Sequence, residues 1–484
     1  MPQIVNMIEG HRDDEGACMT SLRFFGGVGE IGGNKVLLED EGVRVWFDFG
    51  QSFTMGCDYY TGWLRPRNQN GLGDYFEFDL LPRLKGLYTE RLLANTGLRY
   101  ETPRFDAVFL SHAHFDHVGH IGFLDPSIPI WCGSGTKLFL EAAEETSGFT
   151  NYGKHEYRTF RTYEEKKNFR KKTKIKIRHL EVEPWHVDHS IPSAYGFIIH
   201  TSAGVVVYTG DIRAHGPRKE MTEEFLKAAR EAEPVALITE GTKFTDDEEE
   251  QNENDSEKNS SEEDVKEQST QIVSEMNKLV FVTHYSRDMD RLRTFYQVAK
   301  ENDRKLVISP KTAYLLEKLL DDTKLDLPDP LKDNNILVYY KRKKTGTFQE
   351  SDYYIWERRY WDKQVDYKYV HENQGSLLVN LDFYQFTELI DIKPAAHSLF
   401  IHSMSEPFSE EDLEDEVMRN WIKHFKLDFL QLHASGHMSK NELKKAIEYI
   451  CPRKVFPVHT ENPRLFKRFF DHVVPPEKGK RYLL

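Results

Sequence analysis

The sequence predicts an α/β fold of about two or three domains, and three observations support this. In the first half of the chain, short apolar runs alternate with glycine-rich turns, which is typical of strands. After residue 278, strand and helix patterns alternate, as they do in a parallel sheet covered by helices. Histidines and carboxylates recur where these strands should end. A chain of 484 residues is also long enough to bury a sizeable core.

The composition excludes several classes of protein. With 39% hydrophobic and 30% charged residues, the chain has the balance of a globular protein, and no run approaches the ~18 apolar residues that indicate a membrane span. Residues 1–20 lack the apolar segment of a secretory signal, so we expect a cytoplasmic protein. No Cys-x-x-Cys pair occurs, which argues against a disulfide framework and a thiolate zinc finger. The four cysteines are Cys18, Cys57, Cys132 and Cys451.

The net charge of −14 is concentrated in one segment. From Asp246 to Glu267 there are twelve acidic residues and two lysines, a net of −10. Almost no apolar residue occurs there, so we expect a disordered acidic insertion over 246–270. The stretch 161–178 has the opposite bias, with nine Lys or Arg against two Glu. It can be a solvated charged face or a phosphate-contacting patch, and the sequence leaves both open.

The first half should contain mostly strands. The glycine-rich stretch 26–35 (GGVGEIGGNK) is predicted as a hairpin turn and not as a phosphate loop, because it lacks the Gly-Lys-Ser/Thr ending and joins no strand to a helix. The predicted strands are 21–25, 35–38, 43–49, 174–183, 194–199, 204–208 and 235–239, and the predicted helices are 80–93, 136–145 and 220–232.

The second half should contain a parallel sheet. Its aromatic and charged stretch 353–370 is predicted as a partly exposed amphipathic helix. The other predicted strands are 278–283, 305–309, 335–340, 427–432 and 454–458, and the other helices are 289–302, 311–321 and 440–449.

The densest group of polar candidates follows the apolar run 105–110. His112 and His114 should point the same way, because side chains two apart in a strand share a face. Asp116 and His117 lie at the turn into a helix, where they can serve a second metal. Neutral imidazoles and carboxylates suit zinc, and two ions roughly 3.5–4 Å apart can clamp the attacking and leaving oxygens of a phosphodiester. The alternative, a solvated polar loop, is disfavoured by the flanking strand and helix.

Further candidates also follow predicted strands. Because adjacent strand ends meet at one edge of a sheet, we expect these side chains to converge. A single histidine is normally a packing or surface residue, but the recurrence favours a joint site. These candidates are His189, Asp211, Glu240, His437 and His459, with His186 as a competitor for the role of His189.

Together these motifs resemble the metallo-β-lactamase superfamily, and within it the β-CASP nucleases similar to ribonuclease J. The resemblance spans about residues 22–470. It implies an α/β fold, namely an αββα metallo-β-lactamase sandwich with an inserted β-CASP α/β domain. The matching motifs are Asp48 after an early strand, His-x-His-x-Asp-His at 112–117, His189 before Ser-Ile-Pro, Asp211 in Thr-Gly-Asp, and the β-CASP additions Glu240, His437 and His459.

The resemblance also implies domain boundaries. Residues 1–245 would form the first part of the metallo-β-lactamase domain, 246–428 the β-CASP domain, and 429–484 the segment that returns to the first domain.

The resemblance further implies roles for single residues. One zinc would be held by His112, His114, His189 and Asp211, and a second by Asp116, His117, His459 and the shared Asp211. Asp116 would also be a catalytic residue, together with His437, which would donate a proton to the leaving 3′ oxygen, and Glu240, which would hold His437. Asp48 would support the ligands. Substrate contacts are expected from His433, Ser435, Gly436 and His284.

The implied function is a zinc-dependent ribonuclease that leaves 5′-phosphate and 3′-hydroxyl ends, acting 5′-to-3′ or also internally, with Mn²⁺ as a substitute metal. Its partner would be single-stranded, 5′-monophosphorylated RNA; a homodimer and other RNA-decay proteins are further candidates, and no membrane is expected. The alternatives are a non-catalytic RNA-binding scaffold, a DNA-directed β-CASP nuclease, and a small-molecule hydrolase, which the second domain disfavours.

The chain departs from the family pattern at three places. Thr460 stands where a glycine usually follows the last histidine. The chain ends soon after Phe470, so we expect no separate C-terminal domain, which argues against a dimer of the bacterial type and leaves other homodimers open. The acidic insertion and the segment 69–104 have no counterpart, and we expect them to reshape the RNA entrance.

Overall fold

The computed structural model describes residues 19–53, 59–60, 64–147, 155–161, 173–246, 261–322, 325–405 and 413–484. This part of the chain forms three β-sheets with helices against their faces. None of its helices combines the length and the apolar character needed to cross a membrane.

The first sheet begins with antiparallel strands and continues with parallel ones. Strands β1 and β2 form the hairpin predicted around the glycine-rich stretch, and β3 to β6 run parallel. The order is β20-β1-β2-β3-β4-β5-β6. The strands are β1 (Ser21–Gly26), β2 (Lys35–Asp40), β3 (Val43–Phe47), β4 (Ala107–Phe109), β5 (Ile130–Gly133), β6 (Tyr157–Phe160) and β20 (Arg481–Leu483).

The second sheet has the order β19-β11-β10-β9-β8-β7. Its first four strands along the chain are antiparallel, whereas β11 is parallel to both β10 and β19. The strands are β7 (Ile175–Ile177), β8 (Leu180–His186), β9 (Tyr195–Thr201), β10 (Gly204–Tyr208), β11 (Ala236–Thr239) and β19 (Val455–Pro457).

These two sheets pack face to face around one apolar core. Along β3, Val45 and Phe47 enter this core, whereas Trp46 between them packs in a second cluster on the outer face. The alternation follows from the opposite directions of successive side chains in a strand. Outer clusters cover both sheets, so the predicted αββα sandwich is confirmed. The helices of this domain are α1 (Gly73–Glu77), α2 (Phe115–Val118), α3 (Ser134–Ser147), α4 (Lys219–Glu231) and α12 (Lys440–Ile450).

The third sheet is entirely parallel, with the order β15-β14-β13-β16-β12-β17-β18, as the alternating pattern predicted. Its strands are β12 (Val280–Thr283), β13 (Lys305–Ile308), β14 (Ile336–Tyr339), β15 (Gln364–Val365), β16 (Leu377–Asn380), β17 (Leu399–His402) and β18 (Asp428–Gln431). Its helices are α5 (Glu262–Ser274), α6 (Met289–Glu301), α7 (Pro310–Leu319), α8 (Ile355–Arg358), α9 (Tyr367–Glu372), α10 (Leu389–Ile392) and α11 (Leu413–His424).

One face of this sheet meets the first domain. The apolar cluster on that face contains residues of α5, α6 and α7, and it also includes Ala113, Phe139 and Ile191 of the sandwich. Ala113 lies in the predicted metal loop and Ile191 follows His189. The carboxyl ends of β12, β17 and β18 lead into loops that carry His284, Ser403 and His433, which is the edge where open parallel sheets place their sites.

Four structural predictions were wrong in part. The acidic insertion was expected to be disordered over 246–270, but residues 261–270 belong to α5 and its cap; 247–260 lie outside the described residues.

No helix spans 80–93, where only a 3₁₀ turn forms at Glu90–Leu93. The predicted helix 353–370 is divided into α8, a 3₁₀ turn, β15 and α9. The predicted strand 174–183 is the hairpin β7–β8, which turns at Arg178 with φ +57°. Most of the basic stretch, 162–172, also lies outside the described residues.

Candidate metal centre

The metal loop joins β4 to the short helix α2. Asp48, directly after the neighbouring strand β3, has a left-handed φ of +57°. Its Oδ1 accepts a hydrogen bond from the backbone N–H of Ser111 at 2.7 Å, and its Oδ2 accepts from Ser111 Oγ at 2.8 Å. The carboxylate therefore fixes the start of the loop. Tyr208, at the end of β10, donates its hydroxyl to the same Oδ2 at 2.6 Å and ties the two sheets together there.

Backbone approaches also shape this loop. A Cβ at Gly50 would lie 1.6 Å from the carbonyl O of Asp116, and a Cβ at Gly32 would lie 2.7 Å from the Asp116 Cβ. Only glycine lets these two segments pass so close. The backbone N–H of Asn34 donates to Asp116 O at 3.1 Å, so the glycine-rich hairpin supports the metal loop.

One group of candidate ligands consists of His112, His114, His189 and Asp211. His112 Nε2 and His189 Nε2 each lie 3.1 Å from His114 Nδ1. Asp211 Oδ2 lies 3.7 Å from His112 Nε2 and 3.9 Å from His189 Nε2.

A second group consists of Asp116, His117, His459 and the same Asp211. Asp116 Oδ2 lies 2.8 Å from His459 Nε2 and 3.4 Å from His117 Nε2. Asp211 Oδ2 lies 3.1 Å from His117 Nε2 and 3.8 Å from His459 Nε2. One carboxylate oxygen is therefore shared between the two groups. The resemblance to the β-CASP nucleases implied the same seven residues in the same two sets.

In four of these histidines, the ring nitrogen Nδ1 has a hydrogen-bond acceptor. His117 Nδ1 donates to Asp48 Oδ2 at 2.7 Å, and His189 Nδ1 donates to the carbonyl O of Gly436 at 2.5 Å. His112 Nδ1 lies 3.0 Å from Ser111 Oγ, and His459 Nδ1 lies 2.8 Å from Thr242 Oγ1. Each hydroxyl donates to a carboxylate and so accepts from its histidine. When these rings are neutral, Nε2 of each one carries the lone pair, which is the usual arrangement for metal-binding histidines.

The convergence of these lone pairs fits a cation. His114 Nδ1 faces two nitrogens at 3.1 Å, and this trio has at most one proton for two contacts. Oδ1 of Asp211 is buried and has no hydrogen-bond partner among the described residues. Unpaired buried groups are costly unless an ion satisfies them. Imidazole nitrogens with carboxylate oxygens are a donor set for zinc, so the residues fit a metal-binding site.

Burial keeps the three histidines of the first group neutral. Burial lowers the pKa of His114 to about 4. Burial, with neighbouring histidines, also holds the pKa values of His112 and His189 well below the usual range. Neutral imidazoles are the metal-binding form.

The second group has the opposite tendency. Burial disfavours charge on both sides, but Asp211, Asp116 and Asp48 raise the pKa of His117 well above its usual range, and His117 and His459 lower that of Asp116. Without a cation, protonated histidine thus balances these carboxylates.

A third set of groups lies beside the metal ligands. Glu240 Oε2 accepts from His437 Nδ1 at 2.9 Å and from Thr242 Oγ1 at 2.6 Å. Glu240 Oε1 accepts from the backbone N–H of Ile212 at 2.9 Å, directly after Asp211. The His437 ring lies 5.2 Å from that of His189 and 5.5 Å from that of His459. Glu240 therefore holds His437 next to both ligand groups.

The remaining predicted residues take different positions. His186 bonds Tyr195 OH at 3.1 Å and belongs to neither ligand group. Ser435 Oγ accepts from the backbone N–H of His437 at 3.1 Å, and a Cβ at Gly436 would lie 2.9 Å from His189 Cε1. His433 lies 3.4 Å from the carbonyl O of Ser403.

His284 is only 7% exposed, and its Nδ1 donates to the carbonyl O of Tyr285 at 3.0 Å. Its burial makes it a poor candidate for a phosphate contact. The substrate role of His433, Ser435 and Gly436 stays a prediction.

Three residues at the site were not predicted. Tyr208 and Thr242 are the hydroxyls that orient Asp48 and His459, and Arg287 crosses from the third sheet to the metal loop. Thr242 could have been suspected because it lies two residues after Glu240. Nothing in the local sequence indicates the other two. Thr460, the departure from the family pattern, is buried and forms bridges with Val28 and Glu30 of the glycine-rich hairpin.

Two family descriptions match the chain. The "Beta-lactamase superfamily domain" matches residues 79–285, and the "Zn-dependent metallo-hydrolase RNA specificity domain" matches residues 423–466. The first match contains the loop 112–117, His189, Asp211 and Glu240, and the second contains His437 and His459. The chain is therefore similar to the metallo-β-lactamase superfamily over these two segments.

Within that superfamily the chain is similar to ribonuclease J. It is 23% identical over 446 residues to ribonuclease J of Helicobacter pylori, covering 90% of this chain and 55% of that protein. It is 21% identical over 387 residues to ribonuclease J 2 of Streptococcus pyogenes, covering 74% of this chain and 60% of that protein. The matched region thus spans little more than half the length of these curated relatives.

A solved structure covers the chain more completely. A crystal structure of a protein of unknown function from Enterococcus faecalis V583 superposes with a TM-score of 0.73 at 24% identity, covering 96% of this chain and 100% of that one. At this identity the similarity concerns the fold. It agrees with the sandwich and the inserted parallel domain described above.

Proposed function

We propose that this protein is a zinc-dependent ribonuclease that hydrolyses RNA phosphodiester bonds and leaves 5′-phosphate and 3′-hydroxyl ends. One observation carries the proposal: two ligand groups share Asp211, and the pair His437–Glu240 lies beside them. Two-metal sites clamp both the attacking and the leaving oxygen of a phosphodiester. A positioned histidine next to such a site supplies the proton that the leaving oxygen needs.

Two metal ions would be held by the two groups described above, with Zn²⁺ as the natural ion and Mn²⁺ as a substitute. When bound, they supply Lewis acidity and lower the pKa of water to about 7. Asp116, with His459 and His117, would serve the second ion and keep its charge balanced. The four groups that accept hydrogen bonds from Nδ1 of the ligand histidines, among them Asp48 and Thr242, would hold these rings in place.

His437 is proposed as the general acid. Its Nδ1–H donates the hydrogen bond to Glu240. The proton that passes to the 3′ oxygen is therefore carried by Nε2. Glu240 fixes the orientation of the ring. Glu240 also accepts a hydrogen bond from the backbone N–H of Ile212, directly after Asp211. It therefore fixes the position of His437 relative to the shared ligand Asp211.

The relatives support an RNA substrate. Their names are ribonuclease J, and the description matched at residues 423–466 names RNA specificity. We propose 5′-monophosphorylated single strands as the substrate, cut from the 5′ end and also internally. The domain limits 1–245, 246–428 and 429–484, a cytoplasmic location, a homodimer and partners among RNA-decay proteins stay predictions.

The proposal can be tested with purified protein, Zn²⁺ or Mn²⁺, and an RNA labelled at either end that carries a 5′-monophosphate or a 5′-triphosphate. We expect cleavage by the wild type and none by His114→Ala, which lacks a ligand of the first group. Mononucleotides released only from the monophosphate would indicate a 5′-to-3′ exonuclease. Tight RNA binding without cleavage by zinc-loaded wild type would contradict the proposal and favour the scaffold alternative.

A further inference from the structure

Arg287 reaches from the third sheet to the metal loop. It lies in the loop between β12 and α6, and its Nη1 donates a hydrogen bond to the carbonyl O of Ala113. Ala113 stands between His112 and His114 in the metal loop. A cation of the inserted domain is therefore fixed directly beside two metal ligands of the sandwich domain.

This guanidinium has few partners in the protein. Among the described residues, no carboxylate lies within ion-pair distance of Arg287, and its one hydrogen bond is the bond to Ala113. A guanidinium has several N–H donors in a planar fork, so most of them remain available. The side chain is only partly exposed. A half-buried cation with unused donors is costly unless an anion comes to it.

Two neighbouring arginines show the contrast. Arg213 and Arg291 are fully buried, and both have carboxylate partners. Arg213 bonds Asp188 Oδ1 at 3.1 Å and Asp290 Oδ2 at 2.8 Å. Arg291 bonds both oxygens of Glu262, at 2.8 and 3.1 Å. Where an arginine serves the structure of this interface, a carboxylate is its counterion, whereas the described part of the chain provides none for Arg287.

The charge of Arg287 interacts with the charges of the candidate metal ligands. Burial lowers the pKa of Arg287, and the charge of Asp116 partly offsets this. Burial is also the main cause of the low pKa of His114, and Arg287 adds to it. A positive charge thus stands on the side of the ligand groups that faces the inserted domain, while His437 stands by His189 and His459.

We propose that Arg287 is a substrate-binding residue that donates hydrogen bonds to the non-bridging oxygens of the phosphate at the metal centre. The inference rests on the proposed function and deepens it, because it assigns the group that holds the phosphodiester from the inserted domain. The planar fork of arginine matches two phosphate oxygens at once. Such bonds strengthen as negative charge builds on the phosphate in the transition state.

The test compares Arg287→Gln and Arg287→Lys with the wild type, using inorganic phosphate as the probe. Calorimetric titration of the zinc-loaded proteins with phosphate should show affinity weakened about tenfold or more in Arg287→Gln. With RNA as substrate, kcat should fall about 100-fold in the same variant. Arg287→Lys should fall between, because it keeps the charge but loses the fork.

Arg230→Gln is the matched control, since it removes an exposed guanidinium that stacks on Tyr449 of α12. Its phosphate affinity and kcat should equal those of the wild type. Zinc content and thermal unfolding are measured for every variant. Unchanged phosphate affinity in zinc-loaded Arg287→Gln would overturn the proposal, and so would loss of folded protein or zinc in both Arg287 variants, which would make Arg287 a structural residue. If the wild type cleaves no RNA, the proposed function fails, but phosphate binding still decides the role of Arg287.

Discussion

Glu240 connects several parts of the site. Its two oxygens bind the amide of Ile212, the hydroxyl of Thr242 and the ring of His437. Thr242 in turn accepts from His459. A shift of the Glu240 carboxylate would therefore displace the shared ligand Asp211, the ligand His459 and the proposed acid His437 together.

The acid role of His437 predicts a defect in the chemical step alone. His437→Gln should lower kcat about 10²- to 10⁴-fold, because general acids typically contribute that much. Its zinc content should stay that of the wild type, since His437 belongs to neither ligand group. Steady-state kinetics on RNA and metal analysis check this. His397→Gln, which changes an exposed histidine of the third sheet's surface, is the control; loss of zinc in His437→Gln would instead make His437 a ligand.

A buried lysine under the metal loop predicts a pH effect on stability. Burial lowers the pKa of Lys35 to about 7 from its ordinary 10.5, and its Nζ donates to the carbonyl oxygens of Gly33 and Gly50. Between these two pH values the unfolded chain holds a proton that the folded chain lacks, so the free energy of unfolding rises with pH. Below about pH 7 both states hold it, and the burial cost is fully present.

Lys35→Met should remove this dependence. Denaturant unfolding in the presence of chelator, at several pH values between about 7 and 10, should show the wild type gaining up to a few kcal/mol over the variant. Lys305→Met, at an exposed position of β13, should follow the wild-type curve. Parallel curves for wild type and Lys35→Met would show that Lys35 stays charged in the folded protein.

At the scale of elements, a carboxylate of helix α5 lies close to arginines of both domains. Glu262, its first residue, is 7% exposed and bonds Arg291, with Arg213 3.7 Å away. Arg291 also donates to the carbonyl oxygens of Ser403 and Ala434. Glu262 thus supports the loop that leads to His437 on one side and the segment that follows Asp211 on the other.

Replacement of this carboxylate should destabilise the protein strongly. Glu262→Gln leaves two buried guanidinium charges with fewer counterions, and removal of one partner from such a pair costs about 3–5 kcal/mol. Chemical denaturation measures it. Glu263→Gln is the matched control, because the next side chain is 69% exposed and should change stability by less than about 0.5 kcal/mol. Equal stability of the two variants would contradict a structural role of Glu262.

The metal loop and most strands could be predicted because their signals are local. His112 to His117 occupy six consecutive positions, and His189, Asp211 and His459 follow apolar runs that do form strands. The pairing of Arg291 with Glu262 could not be predicted, since it joins residues 29 apart on different elements. The role of Arg287 could not be predicted for a similar reason, because it depends on how the two domains meet.

The wrong helix predictions have another cause. In the segment 80–93, Leu87 and Tyr88 bury against the outer face of the first sheet without forming a regular helix. Apolar spacing shows that a segment is buried and leaves its backbone undetermined when tertiary contacts override local preference. The acidic segment shows the reverse: its charge predicted disorder, but Ser261 and Asp264 form a capping box that starts α5.

At the scale of the whole molecule, the metal centre joins distant parts of the chain. Asp116 and His459, 343 positions apart, meet at 2.8 Å, and β19, which leads to His459, completes the second sheet beside β11. The return segment therefore supplies both an edge strand and a ligand. Stability of this segment and affinity for metal should be linked, because an ion that binds only the folded chain stabilises it.

Removal of metal should therefore lower the melting temperature. Excess chelator should reduce the Tm of the wild type by several degrees, because a ligand at 100 times its Kd adds about 2.7 kcal/mol to the free energy of unfolding. His459→Ala should lose much of this difference, since its second ligand group is incomplete, whereas His397→Gln should keep all of it. Differential scanning fluorimetry with and without chelator, followed by re-addition of Zn²⁺, measures the effect. An identical Tm for the wild type before and after complete zinc removal would separate metal binding from the stability of the fold.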